Sequence, residues 1–341
     1  MKRVVIYRPG DHDQLRIEES TISDPKDGEV QVDIQFSGVN YADVCVRWGI
    51  YESAKKFIGW PITPGFEFSG VISKVSAGSK FNVGDDVFGV SFFNGYSSAL
   101  NLPEHFVFNK PNQLSFEEAA CFPAVFLTAY HALFQNFILR PNSKVLVHSA
   151  AGGVGSALVQ LLVSAGHEVV GVIGSSSKRE YLSSLGCHHI IDKSKENLWK
   201  RALEICPEGY DVVLDANGVE TLKESFKHLA PTGKLMVYGF HTMLPKSGRL
   251  NWIKLAWNYL RTPRFSPLEL TSANKSVMAF NLSFLFERFD ILNDGMVELI
   301  KLVKSGAIRG YQVKVFDAFD VGQAHGHIES GKSVGKIAIK W

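Results

Sequence analysis

The sequence lacks several features that would assign a protein to a specialised class. No apolar run reaches the roughly 18 residues that a membrane-spanning helix needs, and the charged start MKRVV is unlike a secretory leader, so we expect a cytoplasmic protein. Cysteine is scarce, and its four residues form no CxxC pair, which favours reduced thiols over a disulfide framework. Neither sign of charge dominates, since 36 Lys and Arg oppose 34 Asp and Glu, so the total charge gives no reason to expect a nucleic acid partner.

Motifs for nucleophilic catalysis are also missing, because the chain contains no GxSxG segment. What it does contain is two kinds of secondary-structure pattern. The first third consists of short alternating or β-branched runs such as EVQVDIQFSGV and FEFSGVISKV, separated by turn residues. This pattern predicts a small β-barrel or sandwich, interrupted by one helix near residues 41–48. A chain of 341 residues is long enough for about two domains.

From about residue 115 onward, strand-like and helix-like segments alternate. Residues 116–135 are predicted to be helical, and the strand-like runs KVLVHSA, EVVGVI, HHIID, YDVVLDA and KLMVYGF follow, with helical segments between them. Such alternation predicts an α/β domain with a doubly wound parallel sheet, to which VMAFNLSFL adds a final strand. The last part, with the strands YQVKVF and GKIAIKW, is expected to rejoin the first domain.

A glycine-rich turn follows the strand KVLVH and opens a predicted helix. Gly152 and Gly153 allow the backbone to approach a pyrophosphate, and Gly155 allows the helix to pack closely on the strand. Ala150 occupies the position of the first glycine in the usual fingerprint. The helix start, including Val154, offers backbone N–H groups and a partial positive charge to the phosphates. A tight turn without a ligand is the alternative, but the strand before and the helix after favour a dinucleotide site.

The next strand indicates which nicotinamide cofactor this site prefers. Binders of NAD usually have Asp or Glu at its end to bind the ribose 2′-hydroxyl. Here the sequence continues as GVIGSSSKR, with Ser175 and Lys178 available for a 2′-phosphate and no carboxylate to repel it. The serines also suit a helix N-cap, and both roles are compatible. The pattern favours NADPH over NADH.

Several motifs together resemble the medium-chain dehydrogenase/reductase superfamily, in its zinc-independent quinone oxidoreductase branch. The resemblance covers nearly the whole chain and is carried by GVNYAD at 38–43, RWGIY at 47–51, PGFEFSG at 64–70, VGDDV at 83–87 and LTAY at 127–130. Within that branch the chain resembles synaptic-vesicle VAT-1-like proteins, which share a long insert after the YG strand.

The resemblance implies a specific architecture. Residues 1–120 and 284–341 would form a β-rich GroES-like catalytic domain, and residues 121–283 a Rossmann dinucleotide-binding domain with an insert at 240–275. It also implies a homodimer that reduces a small-molecule quinone or enone.

The zinc ligands of the superfamily's alcohol dehydrogenases are not retained. Asn40 stands at the first ligand position and Phe66 at the position of the histidine ligand, and neither side chain is a usual zinc ligand. The four-cysteine structural lobe is missing as well. The remaining pairs, His188–His189 and His325/His327, have spacings that turn the two rings apart. We therefore expect no metal site.

Without zinc, hydride transfer suits acceptors that need little Lewis-acid help, such as quinones and α,β-unsaturated carbonyls. By resemblance, Tyr51 and Asn40 are the candidate catalytic residues, with Tyr51 donating a hydrogen bond or proton and Asn40 holding the carbonyl. The alternative for Tyr51 is that it only packs at a helix end, and the alternative for Asn40 is that it caps a helix.

The resemblance also assigns Thr128 to the nicotinamide side of the cofactor, and Lys193, in place of a usual tyrosine, could meet a 2′-phosphate. Asn217 and Phe240 are further cofactor candidates, because they follow parallel strands at the carboxyl ends where such sheets bind ligands.

The insert suggests a rival function. On a helical wheel of residues 249–261, a polar stripe is formed by Asn251, Lys254, Asn258 and Arg261, and the rest is apolar with two tryptophans. Residues 246–275 contain six cations, including Lys246 and Arg249, against Glu269 alone. A lid or dimer contact is favoured, because the apolar arc is wide. Contact with an anionic membrane remains the alternative, and with it the role of a nucleotide-binding lipid or membrane adaptor.

Overall fold

The strands and helices follow the order that the sequence pattern indicates. The computed structural model describes residues 1–244 and 250–341. The strands are β1 Lys2–Val5, β2 Arg16–Glu19, β3 Glu29–Val39, β4 Glu67–Val75, β5 Asp86–Val90, β6 Ala99–Pro103, β7 Val107–Asn109, β8 Lys144–Val147, β9 Glu168–Ile173, β10 His189–Asp192, β11 Tyr210–Asp215, β12 Leu229–Val237, β13 Ser276–Ala279, β14 Val313–Asp317 and β15 Lys336–Lys340.

The α-helices are α1 Tyr41–Arg47, α2 Glu52–Phe57, α3 Phe116–Ala120, α4 Pro123–Tyr130, α5 Gly153–Ser164, α6 Arg179–Ser184, α7 Leu198–Ile205, α8 Leu222–Lys227, α9 Trp252–Arg261, α10 Pro267–Ala273, α11 Phe289–Lys304 and α12 Val321–Glu329. A π-helical turn covers His131–Gln135, and short 3₁₀ segments include Ser176–Lys178, His241–Met243 and Leu282–Arg288. Among the described residues, no helix has the length and apolar character needed to cross a bilayer.

The chain divides into two compact units. Unit 1 contains Met1–Leu127 and Ser283–Trp341, and unit 2 contains residues 128–244 and Leu250–Leu282. In unit 1 the main sheet has the order β14-β15-β3-β4-β5-β7, with β6 also paired to β3. Its pairs are antiparallel except for β14 with β15. The GroES-like β-rich domain expected from the sequence is confirmed.

Unit 2 is built on a sheet of six parallel strands in the order β10-β9-β8-β11-β12-β13. The strand order reverses beside β8, and the carboxyl ends next to such a reversal form the usual ligand site of a doubly wound sheet. Its strands contribute buried aliphatic side chains such as Leu146, Val170 and Val213 to one apolar cluster. The Rossmann prediction is confirmed.

The sequence predicted a single helix over residues 116–135, and the structure differs from that prediction. The segment breaks into α3, α4 and the π-helical turn, with Cys121 ending α3 and Pro123 starting α4. Proline lacks the N–H needed to continue the previous helix but suits a first turn, which explains the break.

The insert helix α9 also differs from expectation. Asn258, expected on an exposed polar stripe, is only 6% exposed, whereas Trp252 and Trp257 are 66% and 59% exposed. The two indoles are therefore not covered within the described part of the single chain, and the lid or dimer contact favoured from the sequence stays a prediction. The neighbouring Lys246 and Arg249 lie outside the described residues.

Candidate functional site

The glycine-rich turn connects β8 to α5 at the carboxyl edge of the parallel sheet. Gly152 is the N-cap of α5 and provides no side-chain cap to the helix. A Cβ on Gly155 would collide with the carbonyl oxygen of Ser149, so only glycine permits this close approach. A helix start without a capping side chain is suited to bind an anion such as a phosphate.

Ser149 sets the geometry at the beginning of this turn. Its φ of 51° lies in the left-handed region, which non-glycine residues adopt at a cost. Its carbonyl accepts from Gly152 N (2.9 Å), and its hydroxyl donates to Asn217 Oδ1 (2.9 Å). Asn217, a predicted cofactor residue after β11, is buried. Its bond from Ser149 connects it to the glycine-rich turn.

A buried carboxylate that the sequence reasoning missed organises this region. One oxygen of Asp215, at the end of β11, accepts from the backbone amides of Asn217 (2.8 Å) and Gly218 (3.1 Å). The other accepts from the hydroxyls of Thr221 (2.7 Å) and Ser225 (2.8 Å). The available signal was an Asp within the apolar run YDVVLDA, because a buried carboxylate needs several donors.

His148 lies next to this carboxylate and is fully buried. Its Nε2 lies 3.0 Å from Ser225 Oγ and 3.8 Å from Asp215 Oδ2. Burial lowers the pKa of His148 to about 4, although the nearby Asp215 opposes that change. The imidazole is therefore neutral at physiological pH.

The predicted 2′-phosphate residues lie on two adjacent loops. Ser175 and Lys178 follow β9, and Lys193 follows the neighbouring β10. A Cβ on Gly174 would lie 3.6 Å from Lys193 Cε, so the lysine side chain passes beside that loop. Burial lowers the pKa of Lys178. The structure thus brings these three residues to one corner of the sheet.

Asp192 connects these two loops and was also missed. Its carboxylate accepts from the hydroxyls of Ser176 (2.5 Å) and Ser194 (2.6 Å). Burial alone would raise the pKa of Asp192, but the bonds from Ser176 and Ser194 outweigh it and lower that pKa. The carboxylate positions the serine loops.

The other predicted cofactor residues lie in unit 2 as well. Phe240 is exposed and packs against Gly218, where a Cβ would lie 2.8 Å from its ring. Thr128 lies half-buried in α4. Ala150 is buried and donates its amide to Val172 O (3.0 Å), and Val154 lies in the first turn of α5.

Asn40, in unit 1, is held by a buried ion pair. Lys336 Nζ lies 2.8 Å from Glu67 Oε1, and both side chains are almost fully buried. Asn40 Nδ2 donates to Glu67 Oε1 (2.7 Å), and Asn40 Oδ1 accepts from Lys336 Nζ (2.7 Å). The sequence did not indicate this contact, because Lys336 is 296 residues from Asn40. The amide orientation is thus determined by two opposite charges.

Tyr51 and Phe66 lie beside each other. Tyr51 is the N-cap residue of α2, and its half-buried ring is 5.6 Å from that of Phe66. The Phe66 ring is also 4.9 Å from that of Phe93, so the position that the resemblance assigns to a zinc ligand is filled by packed aromatic rings. Within residues 1–244 and 250–341, no group of three His, Cys, Asp or Glu side chains is arranged to hold a metal ion.

Comparisons with known proteins agree with this architecture. Residues 26–127 match the family described as alcohol dehydrogenase GroES-like domain, and residues 153–266 match the zinc-binding dehydrogenase family. The human synaptic vesicle membrane protein VAT-1 homolog is 30% identical over 99% of this chain and 86% of its own length. The Danio rerio homolog is 33% identical over 92% of this chain, which spans 64% of that protein.

A solved structure extends the comparison to an enzyme. The Escherichia coli quinone oxidoreductase complexed with NADPH matches with a TM-score of 0.85 and 26% identity, covering 100% of both chains. The two family matches, the two VAT-1 homologs and the common fold agree with one another. The chain therefore belongs to the medium-chain dehydrogenase/reductase family, close to the VAT-1 homologs and the quinone oxidoreductases.

Proposed function

We propose that this protein is a zinc-independent, NADPH-dependent reductase of quinones or α,β-unsaturated carbonyls. The observation that carries the proposal is the glycine-rich turn at the start of α5, with Ser149 and Asn217 joined beside it. This arrangement suits a pyrophosphate, because the small side chains of the turn leave room for the ligand at the N-terminus of α5.

The choice of NADPH rests on the corner formed by the loops after β9 and β10. Lys178 and Lys193 supply positive charge there, and Ser175 supplies a hydroxyl. Asp192 is a carboxylate close to this corner. Its oxygens accept hydrogen bonds from Ser176 and Ser194, so its role is to order the two loops. A doubly charged 2′-phosphate gains more from two cations than a neutral ribose hydroxyl does.

When bound, NADPH supplies a hydride, so that acceptor, NADPH and one proton yield the reduced acceptor and NADP⁺. Tyr51 would donate a hydrogen bond or the proton to the oxygen that gains negative charge. Lys336 and Glu67 hold the Asn40 amide, and one N–H of that amide donates to Glu67. The second N–H would donate a hydrogen bond to the acceptor carbonyl. The chain thus supplies uncharged donors where a zinc enzyme uses a metal.

Cofactor selectivity tests the proposal directly. NADPH should bind at least about tenfold more tightly than NADH, which corresponds to about 1.4 kcal/mol. Lys178→Ala and Lys193→Ala should each weaken NADPH binding and leave NADH binding nearly unchanged. Lys195→Ala is the matched control, since Lys195 is an exposed lysine of the same loop as Lys193. Titration calorimetry gives the dissociation constants, and equal values for NADPH and NADH would contradict the proposal.

Turnover is tested by following NADPH absorbance with quinones, 2-alkenals and enoyl thioesters. Tyr51→Phe should lower kcat for the preferred acceptor and leave the NADPH dissociation constant unchanged, because the tyrosine hydroxyl acts on the acceptor. Absence of turnover with all three classes, despite NADPH binding, would count against a reductase.

A second candidate function is that of a nucleotide-binding lipid or membrane adaptor. The observation that favours it is the exposed apolar surface of α9, with two tryptophans next to Lys254 and Arg261. Aromatic and basic side chains together suit an anionic bilayer surface. Co-sedimentation with phosphatidylserine vesicles but no reductase turnover would favour the adaptor.

A further inference from the structure

A row of aromatic rings in unit 1 extends from the proposed catalytic tyrosine to the protein surface. We define this aromatic strip as Tyr51, Phe66, Phe93, Phe92, Phe57 and Phe284. Consecutive rings in that order have centroids 5.6, 4.9, 4.8, 5.7 and 5.9 Å apart. These separations lie within the range of favourable aromatic pairs, so the six rings form one connected cluster that reaches the surface at Phe57 and Phe284.

The exposure of the rings changes along the aromatic strip. Phe66 and Phe93 are buried, Tyr51 and Phe92 are half-buried, and Phe57 and Phe284 are each 39% exposed. Burial of the inner rings is ordinary core packing. The two outer rings adjoin each other and stay partly in contact with water, and adjoining exposed apolar side chains are typical of a surface that binds an apolar ligand.

Several separate parts of the chain supply these rings. Phe57 ends α2, Phe66 precedes β4, Phe92 and Phe93 follow β5, and Phe284 lies in the 3₁₀ segment Leu282–Arg288. No single helical or strand period places them together. Lys56 adds an aliphatic stem at the outer end, with its Nζ 5.1 Å from the centroid of Phe57 and 5.8 Å from that of Phe284.

We propose that the aromatic strip binds the apolar tail of the electron acceptor, so that this protein prefers quinones or enals with a long apolar substituent over compact ones. The proposal rests on the reductase function, because the reactive carbonyl of that acceptor would be the group held at Tyr51. The aromatic strip begins at this residue and leads outward. Tyr51 is the N-cap and Phe57 the last residue of α2, about 9 Å apart along the helix axis at 1.5 Å per residue. An extended apolar group that follows this helix can therefore cover Phe57 and Phe284 while its carbonyl stays at Tyr51.

The experiment compares two acceptors with the same ring, 2-methyl-1,4-benzoquinone and 2-decyl-1,4-benzoquinone. The wild-type KM should be at least about fivefold lower for the decyl compound, since a covered tail adds apolar burial. The double variant Phe57→Ser/Phe284→Ser should remove most of that difference, with the KM of the methyl compound and both kcat values unchanged. Both substituted side chains are partly exposed, so the fold should tolerate them.

Two other exposed aromatic residues of unit 1 provide the control. Tyr7→Ser/Phe319→Ser changes rings that are 50% and 67% exposed and lie outside the aromatic strip, and it should leave the decyl preference intact. If the Phe57/Phe284 variant turns over both quinones with wild-type KM values, the aromatic strip is not a tail site, although the reductase function stands.

If no acceptor is turned over, the reductase function fails instead. Calorimetry of decyl quinone binding to the wild type and to the Phe57/Phe284 variant then tests separately whether the aromatic strip binds an apolar tail. Weaker binding to the variant would support it, and equal binding would overturn it.

Discussion

At the scale of single residues, two fully buried histidines, one in each unit, make the stability of the protein sensitive to acid. His148 is fully buried, with a pKa lowered from 6.5 to about 4, and His325 in unit 1 is buried with a pKa lowered well below 6.5. In the unfolded chain these two imidazoles take up protons near pH 6.5, whereas in the folded chain they stay neutral at that pH. Their contribution to stability is therefore present above pH 6.5 and is lost as the pH falls toward 4.

We expect His148→Gln to reduce this acid sensitivity. Between pH 7.5 and 5 the free energy of unfolding of the wild type should fall by about 2 kcal/mol more than that of the variant, because the variant lacks the His148 imidazole and its lowered pKa. Urea unfolding at both pH values measures the difference. His188→Gln, at an exposed histidine, should behave as the wild type. An identical acid loss in His148→Gln would show that His148 is not the titrating group.

Single residues also show where sequence reasoning stops. The amide of Asn40 was assigned from a motif, but Lys336 and Glu67, which hold it, carry no local signal. Asp215 and Asp192 were likewise missed, although each is the last residue of an apolar strand. Hydrogen-bond partners depend on how loops from different strands meet, and the pattern of one strand does not specify that.

At the scale of elements, α9 permits a sharp test of which face is buried. We expect Trp252→Asp/Trp257→Asp to leave the free energy of unfolding of the isolated chain within about 0.5 kcal/mol of the wild type, since neither indole is buried in its own chain. Asn258→Glu on the same helix should lower it by more than about 1 kcal/mol, because it places a charge at a buried position. Thermal unfolding measures both.

The same double variant distinguishes the roles proposed for the insert. Light-scattering mass reports a contact between copies of the chain, and phosphatidylserine vesicle sedimentation reports a membrane surface. A large drop in melting temperature with an unchanged mass would contradict the exposure of the two tryptophans. The helical pattern indicated an amphipathic helix correctly, but placed Asn258 on the wrong side, because periodicity shows which faces differ and not which one is covered.

At the scale of the whole molecule, family membership raises the question of metal content. The chain matches a zinc-binding dehydrogenase family, yet Asn40 and Phe66 occupy the ligand positions that the resemblance indicates. We expect purified protein to contain less than about 0.1 zinc per chain, because an amide and a phenyl ring are not zinc ligands. Elemental analysis after dialysis measures it. One zinc per chain, removable only with loss of activity, would contradict the expectation.

The sequence alone was sufficient for the two-part architecture, the parallel Rossmann sheet, the glycine-rich turn between strand and helix, and the family. These features are local, since each depends on the period of a short apolar run or on glycines adjacent in the chain. Tertiary structure alone determined three others: the Lys336–Glu67 pair around Asn40, the Asp215 network beneath the turn, and the aromatic strip assembled from four segments. The ion pair and the aromatic strip join residues distant in sequence, and the Asp215 network reaches the distant His148 through Ser225. Their proximity depends on strand order and loop packing rather than on any pattern along the chain.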